Sequence, residues 1–214
     1  MALIRWHVAA AAAVVLVVAG LAGAAKAAEN KFEIRVRALS VVPDEDADIS
    51  QIGGDVSIDT SVVPEFDLSY FITDHISVEV IAAITPHEIT AKNNPVGTID
   101  LGGVWLLPPT VTLQYHMNPH GVYDPYVGAG INYTHFFGAN EPAGFDIEYD
   151  DSVGFALQAG IDIRVKENTY LNLDVKKVFI NTEATIRNPL TVTPIKADVD
   201  IDPWIIGVGV GIRF

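Results

Sequence analysis

Residues 152–165 read SVGFALQAGIDIRV, and their side chains alternate between two kinds. One set is apolar throughout and comprises Val153, Phe155, Leu157, Ala159, Ile161, Ile163 and Val165. The intervening set, from Ser152 to Arg164, is mostly small, polar or charged. Because successive side chains of a β-strand point to opposite faces, this stretch predicts a long strand with one wholly apolar face.

The same alternation recurs along the chain, for example in PWIIGVGVGIRF at residues 203–214. It predicts eight strands, at residues 32–42, 60–72, 76–85, 104–116, 125–137, 152–165, 169–181 and 203–214. These segments match or exceed the roughly 9–11 residues that a tilted strand needs to cross a bilayer, whereas soluble strands cluster near about 5–6 residues. Short connections alternate with long ones at 43–59, 86–103, 138–151 and 182–202, which is typical of outer-membrane barrels. The prediction is an all-β fold, an eight-stranded antiparallel transmembrane β-barrel.

The composition excludes several classes of protein. The 214 residues carry 27 Asp and Glu against 13 Lys and Arg, a formal charge of −14, so no nucleic-acid partner is expected, because that needs a basic surface. Hydrophobic residues make up 50% of the chain and cysteine is absent, which argues against a disordered chain and a disulfide scaffold or thiolate metal site. A closed barrel explains the hydrophobicity, because its outer face meets lipid.

The first 27 residues have the pattern of a signal peptide. Arg5 precedes an apolar run at 8–22, and Ala25-Lys26-Ala27 gives a small-x-small cleavage pattern. A membrane anchor is the alternative, but it needs about 20 apolar residues and this run is shorter. We therefore predict a cleaved signal peptide at residues 1–27 and an outer-membrane barrel domain at 28–214.

Several short motifs occur in a characteristic order. They are LPPT at 107–110, PYVGAGINY at 125–133, DPW at 202–204 and the terminal RF at 213–214. Together they resemble the OmpW family of outer-membrane proteins. The resemblance implies an eight-stranded barrel in the outer membrane of a Gram-negative bacterium that passes small hydrophobic molecules. It also implies that Phe214 is the C-terminal signal read by the barrel-assembly machinery.

The strand faces that point away from lipid would line the barrel interior, and their charges sort by height. If the chain starts on the periplasmic side, ten charged residues fall mostly in the inner half: Glu33, Arg35, Arg37, Asp67, Glu79, Asp162, Arg164, Asp174, Lys176 and Arg213. Five acids balance five bases, and we expect them to pair, because an unpaired buried charge is strongly destabilising. These residues are predicted to form a polar floor, with Glu65 as the main charged exception in the outer half.

The outer half of the interior is predicted to be apolar. Its lining comprises Val63, Ile81, Ala83, Phe136, Ala156, Val178, Ile180 and Ile205. This pattern predicts a funnel that is open outside and closed below, in which a hydrophobic solute gains about 25 cal/mol per Å² of buried apolar area. The solute would leave sideways into the membrane. Pro64 is the candidate lateral gate, because proline removes a ladder hydrogen bond.

Two alternatives to transport stay open. The outer half could be a packed core, since eight strands enclose little space. The chain could then be a structural, adhesion or stress-response barrel that acts through its external loops. In either case the expected partners include outer-membrane lipid, lipopolysaccharide and the barrel-assembly machinery.

Catalytic, cofactor and metal sites are not predicted. Residues 44–48 resemble the start of a calcium loop, but Ile49 replaces the required glycine, which leaves weak cation bridging to lipopolysaccharide as an alternative. His135 and Ser152 near the outer rim raise the possibility of a lipid-modifying enzyme. Strand parity directs them to opposite faces, and there is no G-x-S-x-G elbow, so we expect no enzyme activity.

Overall fold

The computed structural model describes residues 31–50, 53–93, 97–140, 142, 144–187 and 194–214. Among these residues no helix is long and apolar enough to cross a membrane. The predicted signal peptide lies outside the described residues and stays a prediction.

The described residues form fifteen strands. They are β1 (Phe32–Val42), β2 (Asp46–Ile49), β3 (Asp55–Ile58), β4 (Ser61–Phe71), β5 (Ile76–Ala83), β6 (Thr85–Lys92), β7 (Ile99–Leu107), β8 (Thr110–His116), β9 (Tyr123–Asn140), β10 (Asp146–Tyr149), β11 (Ser152–Lys166), β12 (Thr169–Val178), β13 (Asn181–Arg187), β14 (Ile195–Asp200) and β15 (Trp204–Arg213).

Eight of these strands close into a barrel. Their order is β11-β12-β15-β1-β4-β5-β8-β9, and β9 pairs with β11 to complete the ring. Each neighbouring pair is antiparallel, and β1 pairs with β15 from Glu33–Arg213 to Val42–Trp204. The predicted eight-stranded antiparallel barrel is therefore confirmed, and closure of the ring pairs its first strand with its last.

The two faces of the barrel wall differ as the sequence predicts. On β11, Val153 and Phe155 are 74% and 70% exposed, whereas the side chains of Ala156 and Gln158 are buried. Exposed apolar side chains of this kind are the surface that a membrane barrel presents to lipid.

The long connections contain further strands instead of irregular loops. β6 and β7 form a hairpin above β5 and β8, and β3 pairs with β6. β10, β13, β14 and β2 form a separate four-stranded sheet. Two predicted barrel strands are interrupted, at Ile84 and at Pro108-Pro109, and the second break follows from the missing proline amides. The wall of the molecule thus extends beyond the barrel on its outer side.

Glycines on β15 create space for large charged side chains inside the barrel. A Cβ atom on Gly209 would overlap the carbonyl oxygen of Val36 and the side chain of Arg37. A Cβ on Gly211 would come within 2.6 Å of Glu33 Oε1 and 3.1 Å of Arg35 Cγ. The glycine alternation of β15 therefore allows the β1 arginines to lie against the wall.

Candidate functional site

The inner half of the barrel is filled by an ion-pair network centred on two arginines. The guanidinium of Arg35 is fully buried among four carboxylates, at 2.8 Å from Glu33, 3.2 Å from Asp67, 2.9 Å from Glu79 and 3.1 Å from Asp162. A cation with so many close partners holds strands from opposite sides of the bore together.

Arg37 occupies the next level of the network. It lies 2.7 Å from both Glu65 and Asp67, 2.8 Å from Glu79 and 3.4 Å from Asp174. Lys176 completes this level, with its Nζ 3.0 Å from Glu65 and 2.9 Å from Asp174. Arg213 closes the network on the periplasmic side through Glu33 at 2.7 Å.

Neutral donors satisfy the remaining carboxylate oxygens. Gln114 and Gln158 both donate to Glu79 Oε2 at 2.9 Å. The Tyr126 hydroxyl donates to Asp174 at 2.7 Å, and Asn172 donates to Asp162 at 2.8 Å. Such bonds to buried carboxylates offset the desolvation that burial imposes. The network is thus a dense polar plug and not an open channel.

Nine of the ten residues predicted for the polar floor belong to this network, and Arg164 does not. Its Nη2 donates to the carbonyl oxygen of Pro119 at 3.2 Å, and its guanidinium lies 5.9 Å from the ring of Tyr170. Arg164 sits at the end of β11, next to a register shift, and lines the periplasmic mouth below the network. Glu65 takes part as well, because it lies opposite Arg37 on the neighbouring strand, 2.7 Å from its Nε, and the side chain of Lys176 also reaches it.

The apolar zone predicted directly above the floor is nearly closed. All eight predicted residues are at least partly buried, but the cavity that five of them line has a volume of only about 40 Å³. Those five residues are Ile81, Ala83, Val178, Ile180 and Ile205. Val63 packs against Leu39 and Val41 instead. A space of this size holds a few water molecules, so the expected funnel does not lie here.

The open apolar cavity lies farther out, among the strands that extend the wall beyond the barrel. It has a volume of about 320 Å³, and Phe136 is the predicted lining residue that borders it. Aliphatic side chains of β6, β7, β13 and β14 form most of the wall, among them Ile89, Val104, Leu106, Ala184, Ile186, Ile195, Ala197 and Val199. We call this space the outer cavity. The outer cavity lies over the predicted apolar zone, and the ion-pair network separates both spaces from the periplasm.

His87 stands where the outer cavity meets the narrow zone below. Its side chain is 5% exposed and lines both spaces. Nδ1 lies 2.8 Å from the carbonyl oxygen of Asp59, and because a carbonyl accepts hydrogen bonds, Nδ1 carries the proton. Burial lowers the pKa of His87, so the ring is neutral at pH 7.

The barrel wall has a break beside Pro64. β4 pairs with β1 along this stretch, with Pro64 opposite Ala38. Its pairing with β5 begins only at Glu65 opposite Ala83, and β6 pairs with β3 instead. Among the described residues, the segment 61–64 therefore has no strand partner on that side. The residue predicted as the lateral gate borders this break.

Comparison with known proteins identifies the family. The family model described as OmpW family matches residues 28–214. The chain belongs to the OmpW family. It is 44% identical over 187 residues to the outer-membrane protein y4mB of Sinorhizobium fredii, covering 86% of this chain and 80% of that protein. It is 30% identical over 165 residues to the dibenzothiophene metabolism operon protein PahQ of Pseudomonas aeruginosa, covering 76% of each.

A solved structure agrees with this assignment. The crystal structure of the outer membrane protein OprG from Pseudomonas aeruginosa matches with a TM-score of 0.81 and 31% identity, covering 86% of this chain and 96% of that one. The predicted family and the predicted location in the outer membrane of a Gram-negative bacterium are confirmed. The motif at 107–110 spans the break between β7 and β8, and the motif at 125–133 lies on β9, both within the part of the chain that the family match covers.

The residues considered for other chemistry have structural partners in this OmpW-family protein. Ser152 is buried and accepts a hydrogen bond from the amide of Asn181 at 3.2 Å, whereas His135 is 51% exposed and pairs with Asp151. His116, Asp124 and Asp162 lie close enough to hold a metal ion. Their ligand atoms already pair, since His116 lies 2.9 Å from Asp124 and Asp162 binds Arg35.

The wall of the outer cavity is the feature that sequence reasoning missed. Its signal was the continued alternation in the long connections. Thr182, Ala184 and Ile186 alternate with Glu183, Thr185 and Arg187, and the first three are buried. The segment 195–201 repeats this pattern. The strands β3, β6, β13 and β14 are four to eight residues long, shorter than a membrane-spanning strand, and they lie within the predicted long connections.

Proposed function

We propose that this OmpW-family protein takes up small hydrophobic molecules through the outer cavity and releases them sideways into the outer membrane. The observation that carries the proposal is an apolar cavity of about 320 Å³ above a bore closed by buried ion pairs. A solute in the cavity has no favourable route through the charged network, because that route would separate paired charges from each other.

The expected free energy of binding is that of a site which a solute occupies only transiently. A bicyclic aromatic solute would bury about 200 Å², the area of a large aromatic side chain. At about 25 cal/mol per Å², this burial contributes about 5 kcal/mol, before the entropic cost of immobilising the solute. Such a site binds strongly enough to fill and weakly enough to empty. The relative PahQ is named for a dibenzothiophene metabolism operon, which supports an aromatic solute of this kind.

The break between residue segment 61–64 and the strands β5 and β6 is the proposed exit. Hydrocarbon excludes unpaired backbone amides, and Pro64 lowers the number of such groups because it has none. A Pro64→Val variant tests whether this residue takes part in the exit. Unchanged uptake would remove Pro64 from the mechanism but would leave the outer cavity in it.

Blocking the outer cavity tests the proposed uptake. Ala197 is 3% exposed and lines the cavity, whereas Val208 on β15 is 49% exposed and faces lipid. Ala197→Phe should abolish most protein-dependent uptake of a medium-chain alkane by intact cells, and Val208→Phe should preserve it. Equal uptake with and without the native protein would refute the transport function and favour a structural or adhesive role of the external strands.

We propose two further partners, the barrel-assembly machinery and lipopolysaccharide. Phe214 exchanges backbone hydrogen bonds with Phe32 at 2.7 and 2.9 Å, so it is part of the barrel wall, where the assembly machinery would read it. Lipopolysaccharide would surround the outer rim of the barrel, as the main lipid of that leaflet.

A further inference from the structure

The wall of the outer cavity contains a hydrogen-bond acceptor, on His87, that no group of the described residues uses. His87 donates from Nδ1 to the carbonyl oxygen of Asp59 at 2.8 Å. In a neutral imidazole the second nitrogen, Nε2, then has a lone pair and no proton. Among the described residues, the hydrogen bond of the His87 ring is the one from Nδ1 to Asp59, and the His87 side chain lines the outer cavity.

The second polar group of the same wall has the same character. Thr182 lines the outer cavity, and its hydroxyl donates to the carbonyl oxygen of Asp150 at 2.7 Å. Its remaining lone pairs accept hydrogen bonds only. Tyr149 contributes a ring to the wall, stacked on Phe136 at a centroid distance of 5.7 Å. Both His87 and Thr182 thus use their protons on the backbone and offer acceptors to the cavity.

The apolar wall around these two acceptors makes them selective for the polar group that a solute carries. Apart from these residues, the wall consists of aliphatic and aromatic side chains, so a solute that leaves water loses its hydrogen bonds unless the wall replaces them. A hydroxyl or N–H group would find an acceptor at His87. A carbonyl or ether oxygen of the same size would meet the Nε2 lone pair and gain nothing.

We propose that His87 selects, among hydrophobic solutes, those with one hydrogen-bond donor, such as phenols, long-chain alcohols and indole-like rings. This inference rests on the proposed uptake function and defines its substrate class. His87 lines both the outer cavity and the space below it, and its partner Asp59 lies just before β4, where the break in the wall begins. His87 therefore lies between the outer cavity and the break, where a solute on its way to the exit would meet it.

The test uses three probes with one ring system: 1-naphthol, which donates, 1-methoxynaphthalene, which only accepts, and naphthalene, which does neither. The measured quantity is the protein-dependent initial rate of uptake by intact cells at limiting concentration. His87→Phe retains a ring but removes the acceptor, and His87→Gln retains an acceptor. Comparing variants for one probe cancels the probe's own partitioning into membranes.

We expect His87→Phe to lower 1-naphthol uptake about ten-fold, because it leaves a buried donor unpaired, and to leave naphthalene uptake unchanged. His87→Gln should recover most of the loss. A parallel loss for all three probes, or an unchanged rate for 1-naphthol, would overturn the inference. If the native protein accelerates none of the probes, the proposed uptake itself fails, which is a different result.

A second measurement does not depend on folding of the variants. The native protein, labelled with ¹⁵N-histidine, should show a shift of the unprotonated Nε2 signal of His87 when 1-naphthol is added and a much smaller one with 1-methoxynaphthalene. Equal shifts with both probes would contradict a role for His87 as the acceptor.

Discussion

Replacement of Arg35 by methionine should destabilise the barrel strongly, and the structure gives the expected magnitude. Arg35 contacts four carboxylates, but three of them keep another close cation. Glu33 keeps Arg213 at 2.7 Å, and Asp67 and Glu79 keep Arg37 at 2.7 and 2.8 Å. These three carboxylates therefore stay compensated after the substitution.

Asp162 is the carboxylate that loses most. Its next cation in the network is Arg213 at 4.0 Å, and its other bond comes from the neutral amide of Asn172. The substitution thus leaves about one buried carboxylate without a close cation, which costs roughly 3–5 kcal/mol. If all four pairs counted separately, the cost would be several times larger.

Urea unfolding of the barrel in detergent micelles measures this cost. Arg35→Met should lower the free energy of unfolding by about 3–5 kcal/mol. Arg35→Met combined with Asp162→Asn should recover more than half of that loss, because it removes the uncompensated charge. Arg187→Met is the matched control, because Arg187 is 45% exposed and pairs with Glu148 on the surface, where a pair contributes at most about 1 kcal/mol.

Two results would refute this account of the polar floor. One is a loss of less than about 1 kcal/mol for Arg35→Met, since it would put the arginine in the range of a surface pair. The other is a double variant no more stable than Arg35→Met alone, because the cost would then not reside at Asp162.

Three further predictions concern single residues. Arg164→Met should change the free energy of unfolding by less than about 1 kcal/mol, since no carboxylate pairs with Arg164 among the described residues; a loss as large as that of Arg35→Met would contradict its placement outside the network. Gly209→Ala should lower the refolding yield, measured on a heat-modifiability gel, far more than Gly53→Ala. A Cβ on Gly209 would overlap Val36 and Arg37, whereas a Cβ on Gly53 meets nothing, although Gly53 has φ +61°. Equal yields would contradict the close packing at Gly209. Burial lowers the pKa of His87, so its stabilising contribution should be complete above about pH 6.5, the ordinary histidine value. That contribution should decline as the pH falls through the lower pKa of the folded state. His87→Phe should remove this part of the pH dependence of unfolding, and identical pH profiles for the two proteins would argue against a buried neutral ring.

The sequence predicted the barrel well because lipid imposes a simple rule on its strands. A strand that meets hydrocarbon on one face must alternate over its whole length, as residues 152–165 do. Strand direction then gives each inward side chain an approximate height, which was sufficient for nine of the ten floor residues. Glu65 and Arg164 differ from their predicted places, because Glu65 lies opposite Arg37 on the neighbouring strand and pairs with it, and Arg164 lines the periplasmic mouth.

The outer cavity was harder to predict because its walls come from segments far apart in the chain. β13 pairs with β14 and β14 with β2, so residues near 48, 184 and 197 meet above the barrel. Alternation over four to eight residues indicates a strand without indicating its partner. The position of the open space also depends on packing, since the zone that looked like a funnel closes around Leu39, Val41 and Val63.

The central claim is that a hydrophobic solute occupies the outer cavity and does not pass the charged network. A crystal of the protein soaked with a brominated medium-chain alkane tests it through the anomalous signal of bromine. We expect bromine density among Phe136, Ala184 and Ala197, with none below Arg37. Density within the network or in the periplasmic mouth, with the outer cavity empty of bromine, would contradict it.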